Sequence, residues 1–272
     1  MRTIVATLLL FLTVSACTSD RHDVSDESTD QAISAHAQTM ASLYNYYADE
    51  YRALTYQAFN IAKERIDAIR QDNPTNENLA IVVDIDETLL DNSPHQALMI
   101  VSDSSYPYMW NEWCDLAKAS PVPGALEFLQ YADEQGFNIF YVSNRKKKYV
   151  QESSMKNLIN LGFPQVTEEH FMLRMERTEE NPNPSDKQAR RDVIAGLGLE
   201  IVLLIGDNLG DFYTDERSQT ARAEQLESFK NEFGHKFIVL PNAMYGNWPG
   251  SIGISDGASM DSLLRNMTTV FE

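Results

Sequence analysis

The chain has 272 residues, 43% hydrophobic and 23% charged, with 12 Gly and 10 Pro; this ordinary globular usage excludes a collagen, a low-complexity disordered chain and a disulfide-stapled miniprotein. With 22 Lys plus Arg against 40 Asp plus Glu, the formal net charge is −18, so no basic field exists to gather duplex nucleic acid. An anionic substrate is repelled at long range too, and phosphate chemistry here requires a local cationic centre.

Residues 1–16 carry Arg2, the apolar run Ile4 to Leu12 and the small residues Ser15 and Ala16, the layout of a secretory signal. The run is too short to span a hydrocarbon core, which takes about 20 residues. Val14-Ser15-Ala16-Cys17 resembles the lipobox of bacterial lipoproteins, which implies acylation of Cys17 and, with more than one acyl chain, stable membrane attachment. Thr18 follows instead of Asp, which by resemblance to enterobacterial sorting implies an outer-membrane lipoprotein of the bacterial envelope. Loss of Arg2 with the signal takes the charge from −18 to −19. Cys114 then remains as the sole thiol, so no intramolecular disulfide can form, and it reads as a small buried hydrophobe.

Residues 17–38 are rich in Ser, Thr, Asp and His with almost no large apolar residue, which suits a lipidated flexible tether. Leu43, Tyr47, Tyr51, Leu54, Ala58 and Ile61 recur at steps of three and four, predicting one long amphipathic helix up to the Arg70 region, its Tyr-rich face used in packing. Beyond Asn78, apolar runs at Ala80–Asp84, Asn138–Ser143, His170–Leu173, Ile201–Ile205 and Lys236–Leu240 alternate with helical stretches at Gly124–Gln135, Val150–Leu161, Ser185–Gly196 and Thr220–Phe233. That alternation predicts an α/β fold, a parallel sheet covered on both faces. Asn92 to Ser120, rich in Trp, Tyr, Met and Pro, is expected to overhang the carboxyl ends of the strands as a small cap, where open α/β sheets bind ligands. The chain thus divides into signal (1–16), tether (17–38) and one catalytic domain (39–272), with the cap insertion at 92–120.

The apolar strand before Asp84-Ile85-Asp86-Glu87-Thr88 ends in three acids within four residues, which cost several kcal/mol each to bury without partners. Residues two apart on an extended chain project to the same side, so Asp84 and Asp86 can face one point. A divalent cation would resolve their repulsion; a helix N-cap cluster is the bland alternative. Ile201–Ile205 also ends in acids, at Asp207 and Asp211, and hard oxygen ligands from separate strands suit Mg²⁺. Ser143 and Asn144 end a third strand with groups that hydrogen-bond phosphate, and Lys187 opens a helix whose dipole adds to its charge.

In order, Asp84 to Thr88, Ser143, Lys187 and Gly206-Asp207 through Asp211 resemble the four motifs of the haloacid-dehalogenase-like (HAD) phosphatases. The flanks Asp84–Pro94, Val122–Ala125, Ser143–Lys146, Gly206–Leu209 and Leu240–Trp248 are similar to class C bacterial acid phosphatases, most of all the outer-membrane lipoprotein 5'-nucleotidases. Gly210 departs from the family, which often has an acid there, and the third motif lies in a polar loop from Glu176 to Ser185. The resemblance implies a Rossmannoid three-layer fold and hydrolysis of phosphomonoesters through an aspartyl-phosphate, with Asp84 as nucleophile and Asp86 as acid, then base. It implies Mg²⁺ held by Asp84, the Asp86 carbonyl and Asp207, supported by Asp211. Phosphate would meet Ser143, Asn144 and Lys187, with Thr88 orienting the first loop. Trp110, Trp113 and Tyr245 are candidates to stack a nucleobase and Arg145 to widen the attractive zone, so nucleoside monophosphates are the expected substrates. A homodimer is compatible with the sequence. Two other readings stand beside this one, a phosphatase for non-nucleotide esters and a non-catalytic surface binder of haem or nucleotide; His22, His36, His95, His170 and His235 lack ligand spacing.

Overall fold

The computed structural model describes residues 38–214, 218–254, 263 and 267–271; the expected signal, Cys17 and almost all of the tether lie outside them. The first two helices, α1 (Thr39–Tyr47) and α2 (Asp49–Asp72), correct the expectation of one long helix: Ala48 between them is extended, at φ −80° and ψ 130°. Asp49 and Glu50 open α2, where acids favour the positive helix end. The buried stripe of α2 is Tyr51, Thr55, Ala58, Phe59, Ala62 and Ile66, whereas Leu43, Tyr47 and Leu54 are exposed. Of the Tyr-rich face, Tyr51 packs inward while Tyr44, Tyr46 and Tyr47 remain at the surface.

Strand β1 (Leu79–Val83) follows, then β2 (Leu90–Asp91), α3 (Ser93–Val101), α4 (Trp110–Leu116) and β3 (Ser120–Pro121). β2 and β3 pair antiparallel, Leu90 opposite Pro121 and Asp91 opposite Ser120. This short ladder closes the base of the insertion, which is helical as expected. The chain continues through α5 (Ala125–Glu134), β4 (Asn138–Lys146), α6 (Lys147–Leu161), β5 (Phe171–Arg174), α7 (Gln188–Gly196), β6 (Glu200–Gly206), α8 (Gln219–Phe229), β7 (Phe237–Val239) and α9 (Trp248–Ser251). The first covering helix and the strands lie close to where the hydrophobic pattern placed them. α6 begins three residues early, directly out of β4, and α7 begins three residues late, with Lys187 as its N-cap. α8 stops at Phe229 and a 3-10 turn, Lys230–Glu232, completes the stretch.

Five strands form a parallel sheet in the order β5-β4-β1-β6-β7. Successive side chains of a strand point to opposite faces, and β1 is apolar on both. Leu79, Ile81 and Val83 join Phe59 of α2, Phe128 of α5 and Leu158 of α6, while Ala80 and Val82 join Ile194 of α7 with Phe212 and Phe237. Both faces of the central strand are therefore sealed, and its carboxyl end is where polar groups can gather. Among the described residues no helix is long and apolar enough to cross a membrane.

Candidate active site

Val83 pairs with Tyr141 of β4 and with Ile205 of β6. This register brings Asp84, Ser143 and Asp207 to one edge of the sheet, although 59 to 123 residues of chain separate them. The Asp84 N–H donates to the Ile205 carbonyl at 2.9 Å, extending the ladder by one residue. Its carboxylate is buried and receives the Lys187 ammonium, which also lies 2.6 Å from Asp211 Oδ1. Carboxylate oxygens of Asp84, Asp207 and Asp211 all lie within 4.8 Å of one another.

Burial raises the Asp84 pKa to about 7; Lys187 pulls against that rise, and Asp211 and Asp86 add to it. Asp207 is likewise pushed well above the usual carboxylate range by burial, then by Asp211 and Asp84. Burial works against the Lys187 charge, but Asp211 and Asp84 outweigh it and its pKa rises. Three carboxylates and one ammonium leave two uncompensated negative charges, and the donors are all hard oxygens, so the residues fit a divalent cation. Asp211 takes a supporting place: its Oδ1 meets Lys187, and its Oδ2 accepts the Asn208 N–H at 2.9 Å.

Asp86 stands apart from this trio, a correction to the expectation that its carboxylate converges with that of Asp84. Arg145 Nε donates to Asp86 Oδ1 and Oδ2 at 3.0 and 3.2 Å, Arg145 Nη2 to Oδ1 at 2.8 Å, and Asn92 Nδ2 to Oδ1 at 2.9 Å. Any part Asp86 takes in holding a metal falls to its backbone carbonyl. Glu87 is also turned away. It is buried with φ 55°, and its carboxyl accepts from the Asn92 backbone N–H at 2.9 Å and Nδ2 at 3.2 Å. Burial, then Asp86 and Asp207, push its pKa well above the usual range, and its hydrogen bonds to Asn92 brace the loop.

Ser143 is buried at the end of β4, its hydroxyl accepting from the Arg145 N–H at 3.2 Å and lying 3.4 Å from Asp86 Oδ2. Thr88 reaches Asp207 Oδ1 at 3.5 Å, which fits an orienting role better than phosphate contact. The Asn144 side chain is committed elsewhere: its Oδ1 accepts from Arg190 Nη2 at 2.6 Å and its Nδ2 donates to the Ser185 carbonyl at 3.0 Å. Arg145 is buried against Asp86 and Ser154 and does not widen the mouth, while Lys146, Lys147 and Lys148 are exposed. Trp110 sits 5.4 Å from the Arg145 guanidinium and edge-on to His95, whose burial lowers its pKa and keeps it a neutral packing ring. Trp113 donates its indole N–H to Asn92 Oδ1 at 2.8 Å and packs against the core, so its indole nitrogen is committed to Asn92 and not to a substrate. Tyr245 is half-buried on the loop after β7, beside Met244, whose sulfur lies 3.8 Å from the Ser93 hydroxyl. Cys114 is buried, its thiol pushed up to about 12, as a packing residue would be.

Four residues outside the expected set complete the site. Asn92 joins Asp86, Glu87 and Trp113; Asn242 Nδ2 donates to Asp207 Oδ2 at 2.7 Å; Arg190 Nη1 donates to the Ser143 carbonyl at 2.6 Å; Arg191 Nη1 donates to the Asp211 carbonyl at 2.8 Å. Asn92 and Asn242 lie inside the flanking strings that carried the resemblance. The two arginines on α7 carried no sequence signal beyond charge.

A parallel α/β sheet with aspartates at the carboxyl ends of two adjacent strands and a lysine between them defines the HAD class. Residues 1–248 match the family described as HAD superfamily, subfamily IIIB (Acid phosphatase), and the chain belongs to it. The class C acid phosphatase from Bacillus anthracis is 37% identical, covers 85% of this chain and 94% of its own, and superposes with a TM-score of 0.74. The crystal structure of class C acid phosphatase from the same organism with tungstate bound gives 36% identity, 86% and 97% coverage and a TM-score of 0.75. A Bacillus cereus protein described as "Putative nucleotidase" is 33% identical over 105 residues, 38% of this chain and 54% of that protein, so the match spans about half of that relative's length.

Proposed function

We propose that the protein is a metal-dependent phosphomonoesterase with Asp84 as nucleophile and Asp86 as the proton carrier. One observation carries the reading: Lys187 pins a buried Asp84 beside Asp207 and Asp211, while Asp86, two residues on, is held in a separate cradle of Arg145 and Asn92. Two carboxylates in unlike surroundings are what two unlike catalytic roles require. Asp84, Asp207 and the Asp86 carbonyl would hold Mg²⁺, which when bound neutralises charge on the transferring phosphoryl group.

An Asp84 carboxylate oxygen attacks phosphorus as the bond to the leaving oxygen breaks, and that oxygen takes a proton from Asp86. Lys187 and the Ser143 hydroxyl stabilise the equatorial oxygens. In the second step Asp86 takes a proton from water as the water oxygen attacks phosphorus; orthophosphate leaves and Asp84 is restored. The tungstate bound by the Bacillus anthracis enzyme supports an oxyanion site of this kind. Nucleoside monophosphates are the substrates we favour, on the strength of the nucleotidase description of one relative, of Trp110, which faces the Arg145 guanidinium, and of Tyr245 on the loop whose Asn242 binds Asp207. We also propose acylation of Cys17 as the link to the outer membrane. Hydrolysis of a nucleotide panel in Mg²⁺, its loss with chelator and its loss in Asp84→Asn test the reading; Mg²⁺-independent turnover, or turnover by Asp84→Asn, overturns it.

A further inference from the structure

The insertion and the proton carrier are joined by a continuous run of hydrogen bonds to which the mechanism above gives no role. Trp113 on α4 donates its indole N–H to Asn92 Oδ1, and Asn92 Nδ2 donates to Asp86 Oδ1 and Glu87 Oε2. An indole nitrogen can only donate, so Trp113 fixes which end of the Asn92 amide faces the carboxylates. A reversed amide would set its oxygen against Asp86 and leave the indole N–H unpaired in a buried site.

The two oxygens of Asp86 are served unequally. Oδ1 accepts from Arg145 Nε at 3.0 Å, Arg145 Nη2 at 2.8 Å and Asn92 Nδ2 at 2.9 Å. Oδ2 has the longer Arg145 Nε contact at 3.2 Å and the Ser143 hydroxyl at 3.4 Å. Three donors fill Oδ1, whereas Oδ2 has only these two longer contacts and is the oxygen freer to carry a proton. The cradle itself is buried: the Arg145 side chain is 2% exposed while that of Asp86 is 19% exposed, so the carboxyl group alone reaches toward the substrate.

We infer that Trp113, Asn92 and Arg145 are positioning residues that hold Asp86 with Oδ2 as the proton-bearing oxygen, and that through Trp113 the insertion sets the efficiency of leaving-group protonation. The inference rests on the proposed role of Asp86. As the Asp84–phosphorus bond forms and the ester P–O bond breaks, the proton on Oδ2 passes to the leaving oxygen; Oδ1, serving as the carbonyl oxygen, keeps its three donors.

General-acid assistance matters for an alkoxide, which leaves poorly without a proton, and little for a nitrophenolate. The test is kcat/KM for benzyl phosphate and for p-nitrophenyl phosphate, in Mg²⁺, with wild type, Asp86→Ala, Asn92→Ala and Trp113→Phe. Asn92→Ala is expected to slow benzyl phosphate about tenfold more than p-nitrophenyl phosphate, a part of the roughly 100- to 10,000-fold that a general acid supplies in full, since the variant misplaces Asp86 without removing it. Trp113→Phe keeps the ring and its burial, and should show the same split at smaller size with KM for a nucleoside monophosphate unchanged; it carries the test if Asn92→Ala does not fold. Equal losses on both substrates overturn the inference, as does a Trp113→Phe enzyme with raised nucleotide KM and no split, the mark of a base platform. A split in Asp86→Ala but in neither other variant removes the positioning inference alone, whereas no split in Asp86→Ala removes the role of Asp86 itself.

Discussion

The carboxyl group of Asp211 occupies the space that a β-carbon on Gly206 would fill. The last residue of β6 must therefore be glycine for Asp211 to reach Lys187 and the Asn208 N–H at once. Gly206→Ala forces Asp211 out of place, at about 1–3 kcal/mol for overpacking a closed site, and frees the lysine that steadies Asp84. The expected outcome is a lower denaturation midpoint together with an activity loss of about 10- to 100-fold, comparable to losing a partner that orients metal ligands. A folded Gly206→Ala protein with wild-type turnover would show that Asp211 is not needed where it stands.

Asn242 is to Asp207 what Asn92 is to Asp86. Its Nδ2 donates to Asp207 Oδ2 at 2.7 Å, and its own oxygen accepts the Met244 N–H at 2.8 Å, so the loop after β7 orients a proposed metal ligand just past the end of β6. Asn242→Ala should raise the Mg²⁺ concentration for half-maximal activity about 10- to 100-fold and leave turnover at saturating Mg²⁺ much less affected. A titration of activity against Mg²⁺ checks this, and an unchanged midpoint would remove Asn242 from the site.

What could be read from the residues divides along the same line as local and distant causes. β1 was legible because an unbroken apolar run terminating in acids is a local signal, and Lys187 because the third motif requires one cation near a helix start. The break at Ala48 was not, since neither Gly nor Pro marks it and the exposed Tyr46 and Tyr47 continue the apolar pattern. Arg145 looked like a surface cation at the mouth; only the packing of β4 beside β1 shows it turned inward onto Asp86, 59 residues away. The ring of Trp113 suggests a stacking platform from sequence, but its position is set by the indole nitrogen, which finds Asn92 only when the insertion folds back over the strand ends.

The two remaining aromatic candidates differ in what else they touch. Among the described residues Tyr245 makes no such tie to the proposed catalytic groups, so Tyr245→Ala should raise KM for a nucleoside monophosphate about tenfold, the scale of one base–aromatic stack, and leave hydrolysis of a small alkyl phosphate unchanged. Trp110 also faces Arg145, 5.4 Å from its guanidinium. Trp110→Ala should therefore raise nucleotide KM and lower turnover on small esters as well, through a loosened Asp86. Steady-state kinetics on both substrate types separates the two; a Tyr245→Ala enzyme with unaltered nucleotide preference would end its part in base binding.

Stability should depend on pH in a way that reports the acidic trio. The folded-state pKa of Asp84 lies at about 7 against an ordinary 3.8, and that of Asp207 is raised too. For an acid so shifted, the unfolded chain ionises first, so the Asp84 contribution to the stability of the metal-free protein falls as pH rises from about 4 to 7 and is gone above 7, and Asp207 acts in the same direction. Metal binding needs these carboxylates ionised and relieves their repulsion, so its stabilisation grows over the same window. Mg²⁺ should therefore raise the Tm by several degrees at pH 8 and by clearly less at pH 5, each against a chelated sample. Asp84→Asn removes one buried charge and its share of this slope; in chelator at pH 8 it should be at least as stable as wild type while inactive. Equal Mg²⁺ shifts at both pH values, or a metal-free wild type that gains stability from pH 5 to 8 relative to Asp84→Asn, would show that Asp84 is not held as an ion-poor, metal-awaiting carboxyl group.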